Sequence, residues 1–157
     1  MSDLLKETIE LTARKKRLAE AFLQLTVAQA ESLEYGQVQE LLSLIEQRQK
    51  CIADIFLVKD ELLQVETKIL QLCGISSWPS GKALFNSDWQ IIESLRQDIR
   101  LLLKEAQSLD RSNRQTVSKM CGELKKTITS VRSRRDTLKA YNITAMQPGG
   151  YFIDHKS

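Results

Sequence analysis

Groups able to act as nucleophiles, general bases or metal ligands are few and scattered in this chain. His155 is its one histidine, and Cys51, Cys73 and Cys121 are far apart with no C-x-x-C spacing. That pattern excludes a disulfide framework or a zinc site and reads as buried small hydrophobes in a reducing compartment. Glu7 with Glu10, and Asp60 with Glu61 and Glu66, place carboxylates on helical sequence, but no Glu-x-x-His accompanies them and a di-iron bundle is excluded. Gly81-Lys82 lacks the glycine spacing and the strand-to-helix setting of a phosphate loop. The sequence therefore predicts no enzyme, no cofactor and no metal.

The remaining chemistry is that of charge beside an apolar stripe. The net charge of +3 hides an asymmetry: residues 111–157 carry +7, and the preceding residues together carry −4. In the basic part Met120, Leu124, Ile128, Val131 and Leu138 recur at helical spacing among Arg111, Arg114, Lys119, Lys125, Lys126, Arg132, Arg134, Arg135 and Lys139. This is a basic amphipathic helix, suited either to a solvated polar face beside a core stripe or to binding a partner. Nucleic acid fits poorly, because no reader module or aromatic stacking platform is present.

The elements that must carry this stripe are helices. Aromatics make up 6% of the residues and there are six Gly and two Pro, against abundant Leu, Gln, Glu, Lys and Arg, which disfavours sandwiches, barrels and Rossmann sheets. Leu4, Leu11, Leu18 and Leu25 fall seven apart, with Leu5, Ala21, Phe22, Ala28 and Leu33 beside them, predicting a helix over about 3–35 that ends at Gly36. A second stripe, Val38, Leu41, Leu42, Ile45, Ile52, Ile55, Phe56, Leu62, Leu63, Ile69 and Leu70, predicts a helix over 37–73 closed by Gly74. Arg48 and Lys59 interrupt it and are expected to lay their stems on apolar neighbours with the charge in water. Residues 74–87 form a loop containing Pro79 and Gly81, in which Trp78, Leu84 and Phe85 seal one end of the bundle and Ser87 caps the next helix. A third stripe, from Ile92 and Leu95 through Ile99, Leu102, Ala106, Leu109, Asn113 and Val117 to Tyr141, predicts a helix over 88–140, with Gly122 as its candidate break.

The fold predicted is all-α: an elongated antiparallel three-helix bundle, or coiled coil, over residues 1–141, with a long third helix and a flexible tail over 142–157. At 1.5 Å per residue the third helix would extend about 80 Å, against about 50 and 55 Å for the first two. Its stripe then outruns intramolecular cover and needs a helical partner or a second copy. No apolar run reaches the length of a membrane span, so membrane insertion is not expected and the protein is expected in the cytoplasm.

The junction Glu31-Ser32-Leu33-Glu34-Tyr35-Gly36-Gln37-Val38-Gln39-Glu40-Leu41-Leu42, the Lys139-Ala140-Tyr141-Asn142 stretch and the ending Gly150-Tyr151-Phe152-Ile153-Asp154-His155-Lys156-Ser157 together resemble the FlgN-like flagellar export chaperones. The ending is similar to the AYN…GYFIDKKS close of Gram-positive-type members, with His155 in place of a lysine. The resemblance implies a cytoplasmic chaperone that binds hook-associated proteins of the hook-filament junction, prevents their premature assembly and delivers them to the type III export gate. It further implies that Met120, Leu124, Ile128, Val131 and Leu138 bind the substrate protein, and that Tyr141, or else Tyr151, docks on the cytoplasmic domain of the gate. Without the resemblance, the residues fit next a self-associating coiled-coil adaptor or structural protein, a possible homo-oligomer, and after that a nucleic-acid-binding helical module.

Overall fold

The computed structural model describes residues 1–78 and 86–145, with burial defined for 1–78 and 87–142. The order is α1 (Ser2–Glu34), α2 (Val38–Cys73) and α3 (Asn86–Ala145), with no strand among the described residues. The chain divides into two compact units, Met1–Gln115 and Thr116–Ser157.

In the first unit α1 and α2 pack as an antiparallel hairpin. Tyr35 and Gly36 make the reversal: Gly36 takes φ +67°, and the Gln37 amide donates to the Ser32 carbonyl at 2.9 Å. The end of α2 repeats the device, with Gly74 at φ +64° and the Ile75 amide donating to the Leu70 carbonyl at 3.1 Å. Both glycines thus supply the left-handed residue that lets a helix end satisfy its last carbonyls, as the sequence predicts.

The buried seam of α1 is not the leucine column. Leu5, Thr12, Ala19, Thr26 and Leu33, seven apart, are buried together with Thr8, Gln29 and Ser32, whereas Leu4, Leu11, Leu18 and Leu25 are half-buried flanks. Small residues win the centre because α1 and α2 approach closely there; the Cys51 thiol reaches the Leu18 carbonyl at 3.3 Å. The threonine hydroxyls are not stranded, since Thr8, Thr12 and Thr26 donate to carbonyls four residues back at 2.7–2.8 Å.

The same correction applies to α2. Leu44, Cys51, Val58 and Val65 form its inner column with Leu62 and Ile69, while Val38, Leu42, Ile45, Ile52, Phe56 and Leu63 from the predicted stripe are exposed. Both columns have heptad spacing and lie about 100° apart around the helix. Hydropathy alone favours the bulkier one; packing against α1 selects the slimmer.

Ile92, Ile99, Ala106 and Asn113 are the buried residues of α3. At one end of the unit Leu5, Val65, Ile69, Trp78 and Ile92 form a cluster, and Trp78 stacks on Trp89 with ring centroids 5.5 Å apart. Fully burying a side chain such as Ile69 or Ile92 contributes about 1.5–3 kcal/mol. Trp78 therefore seals this end as predicted; Leu84 and Phe85 lie outside the described residues.

Ion pairs complete the contacts of α3. Lys16 reaches Asp98 at 2.8 Å, Arg96 reaches Glu66 at 2.5 Å, and Arg48 reaches Asp110 at 2.7 Å. Arg48 departs from expectation, because its head is held between the helices and only 15% of its side chain is exposed. It donates to Gln29 of α1 at 2.5 Å as well as to Asp110, and lies 4.8 Å over the Phe22 ring. Lys59, by contrast, keeps an exposed position, with its ammonium 5.8 Å from the Phe56 ring.

In the second unit α3 runs without a break at Gly122. It also extends beyond the expected end, since residues 142–145, placed in the tail by the sequence reading, are helical. Asn142-Ile143-Thr144-Ala145 contains no helix breaker, and Pro148 is the first one downstream. At the other end Ser87 is already inside the helix, so it is not the cap, although Asp88 keeps its place in the first turn. Residues 146–157, including Tyr151 and His155, lie outside the described residues.

Candidate partner-docking surface

Asn113, whose side-chain amide donates to the Thr26 carbonyl at 3.0 Å, is the last buried residue of α3 among the described residues. From Arg114 to Asn142 no residue is buried. A helix stretch in this condition gains nothing from tertiary packing and is held by its own hydrogen bonds, so its sequence is free to serve another molecule.

What it presents is an apolar column among cations. Val117, Leu124, Val131 and Leu138 fall seven apart, and Met120, Ile128 and Tyr141 broaden the column. All seven are exposed, from 39% at Val117 to 73% at Tyr141. The five predicted contact residues, Met120, Leu124, Ile128, Val131 and Leu138, are therefore brought onto one open helical stretch with Tyr141. The stretch from Val117 to Tyr141 is about 36 Å long.

Val117 belongs with these residues. Its place in the third stripe marks it as core by sequence, and only the end of burial at Asn113 shows it to be open. Three threonines also contribute. Thr127, Thr129 and Thr137 donate to carbonyls four residues back at 2.9–3.1 Å, so their hydroxyls are bonded within the helix. Cys121, expected to be buried, is exposed because the stripe it adjoins has no cover.

The polar side is strongly basic: residues 116–142 hold seven lysines and arginines against Glu123 and Asp136. Such a helix can hold an amphipathic partner by apolar contact and orient it by charge. No helix among the described residues is long and apolar enough to cross a membrane.

These features define an all-helical protein with an open basic amphipathic stretch. Residues 1–149 match the FlgN protein family, and the chain belongs to that family. It is a flagellar export chaperone, of a family that binds flagellar hook-associated proteins. No curated protein and no solved structure matches the chain.

Proposed function

We propose that this chaperone binds a hook-filament junction protein through Met120, Leu124, Ile128, Val131 and Leu138, with Val117 extending the contact. The uncovered apolar column after Asn113 supports this reading more than any other observation. A helical terminal region of the cargo lies along the column, and its apolar face, otherwise prone to premature assembly, is shielded in the cytoplasm until export. Tyr141, three residues beyond Leu138 and exposed, docks on the cytoplasmic domain of the export gate.

With no tertiary packing to hold it, this stretch is only marginally ordered when free, and the cost of ordering it on contact lowers the net affinity and keeps the complex releasable. The test is calorimetric titration of the full chain with a junction protein from the same cell. Leu124→Asp is expected to abolish binding while the melting of the helical bundle is unchanged, since Leu124 is 61% exposed. Unchanged affinity removes the column from the interface. A concentration-dependent dimer that Leu124→Asp dissociates favours instead the self-associating coiled coil.

A further inference from the structure

A second unpartnered surface lies within residues 1–115 and does not depend on the role of the C-terminal helix. Val38, Leu42, Ile45, Ile52, Phe56 and Leu63 follow the alternating four- and three-residue spacing of a coiled-coil seam on the outside of α2, and Phe56 and Leu63 are 57% and 61% exposed. Gln49 and Lys59 occupy the remaining seam positions.

At Lys59 this seam opens into a cleft of about 370 Å³ lined by Thr12 and Lys15 of α1, Lys59, Leu62, Leu63 and Glu66 of α2, and Ile99 with Arg96 and Arg100 of α3. Its charges do not balance. Arg96 is engaged by Glu66 and Arg100 by Glu93, but Lys15 and Lys59 make no ion pair among the described residues. Burial holds the Lys15 amine below its usual value; Glu66 opposes the shift, and Lys59 and Arg96 reinforce it. Two cations thus face a half-enclosed space with apolar walls, continuous with an apolar helix face.

We propose that this face binds an acidic amphipathic helix of a partner protein, with one of its carboxylates seated between Lys15 and Lys59 and its apolar residues along Leu63, Phe56, Ile52 and Ile45. Charge at the cleft selects this occupant: a carboxylate placed there matches the uncompensated cations, whereas a basic side chain meets repulsion, and Asp60 and Glu46 farther along the seam leave the cleft as its cationic point.

The probe is a labelled three-heptad peptide with leucine at its seam positions and glutamate at the flanks, titrated into the full-length chain by fluorescence anisotropy beside a lysine-flanked counterpart. The glutamate peptide is expected to bind at least about tenfold more tightly than the lysine peptide, and Lys59→Glu and Phe56→Asp each to weaken it at least about tenfold. Both substituted residues are exposed, so the bundle should melt as before. Leu124→Asp is expected to change this affinity by less than about twofold, which separates the α2 face from the basic C-terminal helix. Equal binding of the two peptides overturns the proposal, as does loss with Leu124→Asp while Lys59→Glu is silent. A dimer in sedimentation that Phe56→Asp dissociates also overturns it, by giving the face to a second copy.

Discussion

The Arg48 guanidinium lies 2.7 Å from the Asp110 carboxylate, with 15% and 17% of the two side chains exposed, and ties α2 to α3. Because the same nitrogen also bonds Gln29 of α1, one side chain fixes the register of all three helices. Asp110→Ala strands the buried cation and is expected to lower stability by about 2–3 kcal/mol in urea unfolding. Replacing the whole polar set, Arg48→Met with Asp110→Leu and Gln29→Leu, removes the stranded charge without leaving the buried Gln29 carbonyl unpaired and is expected to recover most of that loss. If the triple variant is as unstable as Asp110→Ala, the effect is lost packing and not lost charge compensation.

The identity of this arginine as an internal tie was not legible in the sequence, where a charge inside an apolar stripe reads as a stem with its head in water. Three helices and the C-terminal ends of the first two were legible, because Gly36 and Gly74 mark those ends and the long run after Asp88 holds no proline, but α3 starts before its expected cap and runs past its expected end. Which face each helix turns inward was not. In α1 the leucines lie one position from the buried column of Leu5, Thr12, Ala19, Thr26 and Leu33, and only the close approach of α2 makes threonine preferable to leucine there. On α2 two apolar columns compete, and the one left outside supplies the second docking face. The C-terminal stripe was legible as residues, and its lack of cover followed from the expected helix lengths; that Asn113 is the last buried residue of α3 among the described residues was not, because Val117 continues the same apolar period.

Lys15 and Lys16 are adjacent but titrate in opposite directions. Burial lowers the Lys15 value, so the folded state binds this proton less readily than the unfolded chain, and stability increases as pH rises through the interval just below 10.5. The hydrogen bond to Asp98 raises the Lys16 value, so its contribution is present below 10.5 and is lost as pH climbs through the folded value above it. Lys15→Met is therefore expected to raise the urea midpoint at neutral pH by an amount that shrinks as pH approaches 10.5. A gain independent of pH would assign the effect to packing of the methionine.

Hydrogen exchange should divide α3 at the end of its burial. Amides around Ile92, Ile99 and Ala106 open only with the bundle, while those from Met120 to Tyr141 belong to a helix with no buried side chain and should exchange at least about tenfold faster. Adding a junction protein should slow the second group selectively. Equal protection of both groups in the free protein would mean that the C-terminal stripe is covered in solution.

Tyr141 follows Leu138 by three residues and so shares its side of the helix, yet its ring is 73% exposed and offers both an apolar face and a hydroxyl. An exposed tyrosine of this kind is a common centre of binding energy at protein interfaces. Tyr141→Ala is expected to leave affinity for the junction protein within about twofold, since the proposed contact runs from Val117 to Leu138, and to weaken docking on the export-gate domain by at least about tenfold. Tyr141→Phe separates the two parts of the side chain: retained docking assigns the contact to the ring, and loss assigns it to the hydroxyl. Normal docking by Tyr141→Ala would transfer the role to Tyr151, and parallel loss of cargo and gate binding would make the two surfaces one.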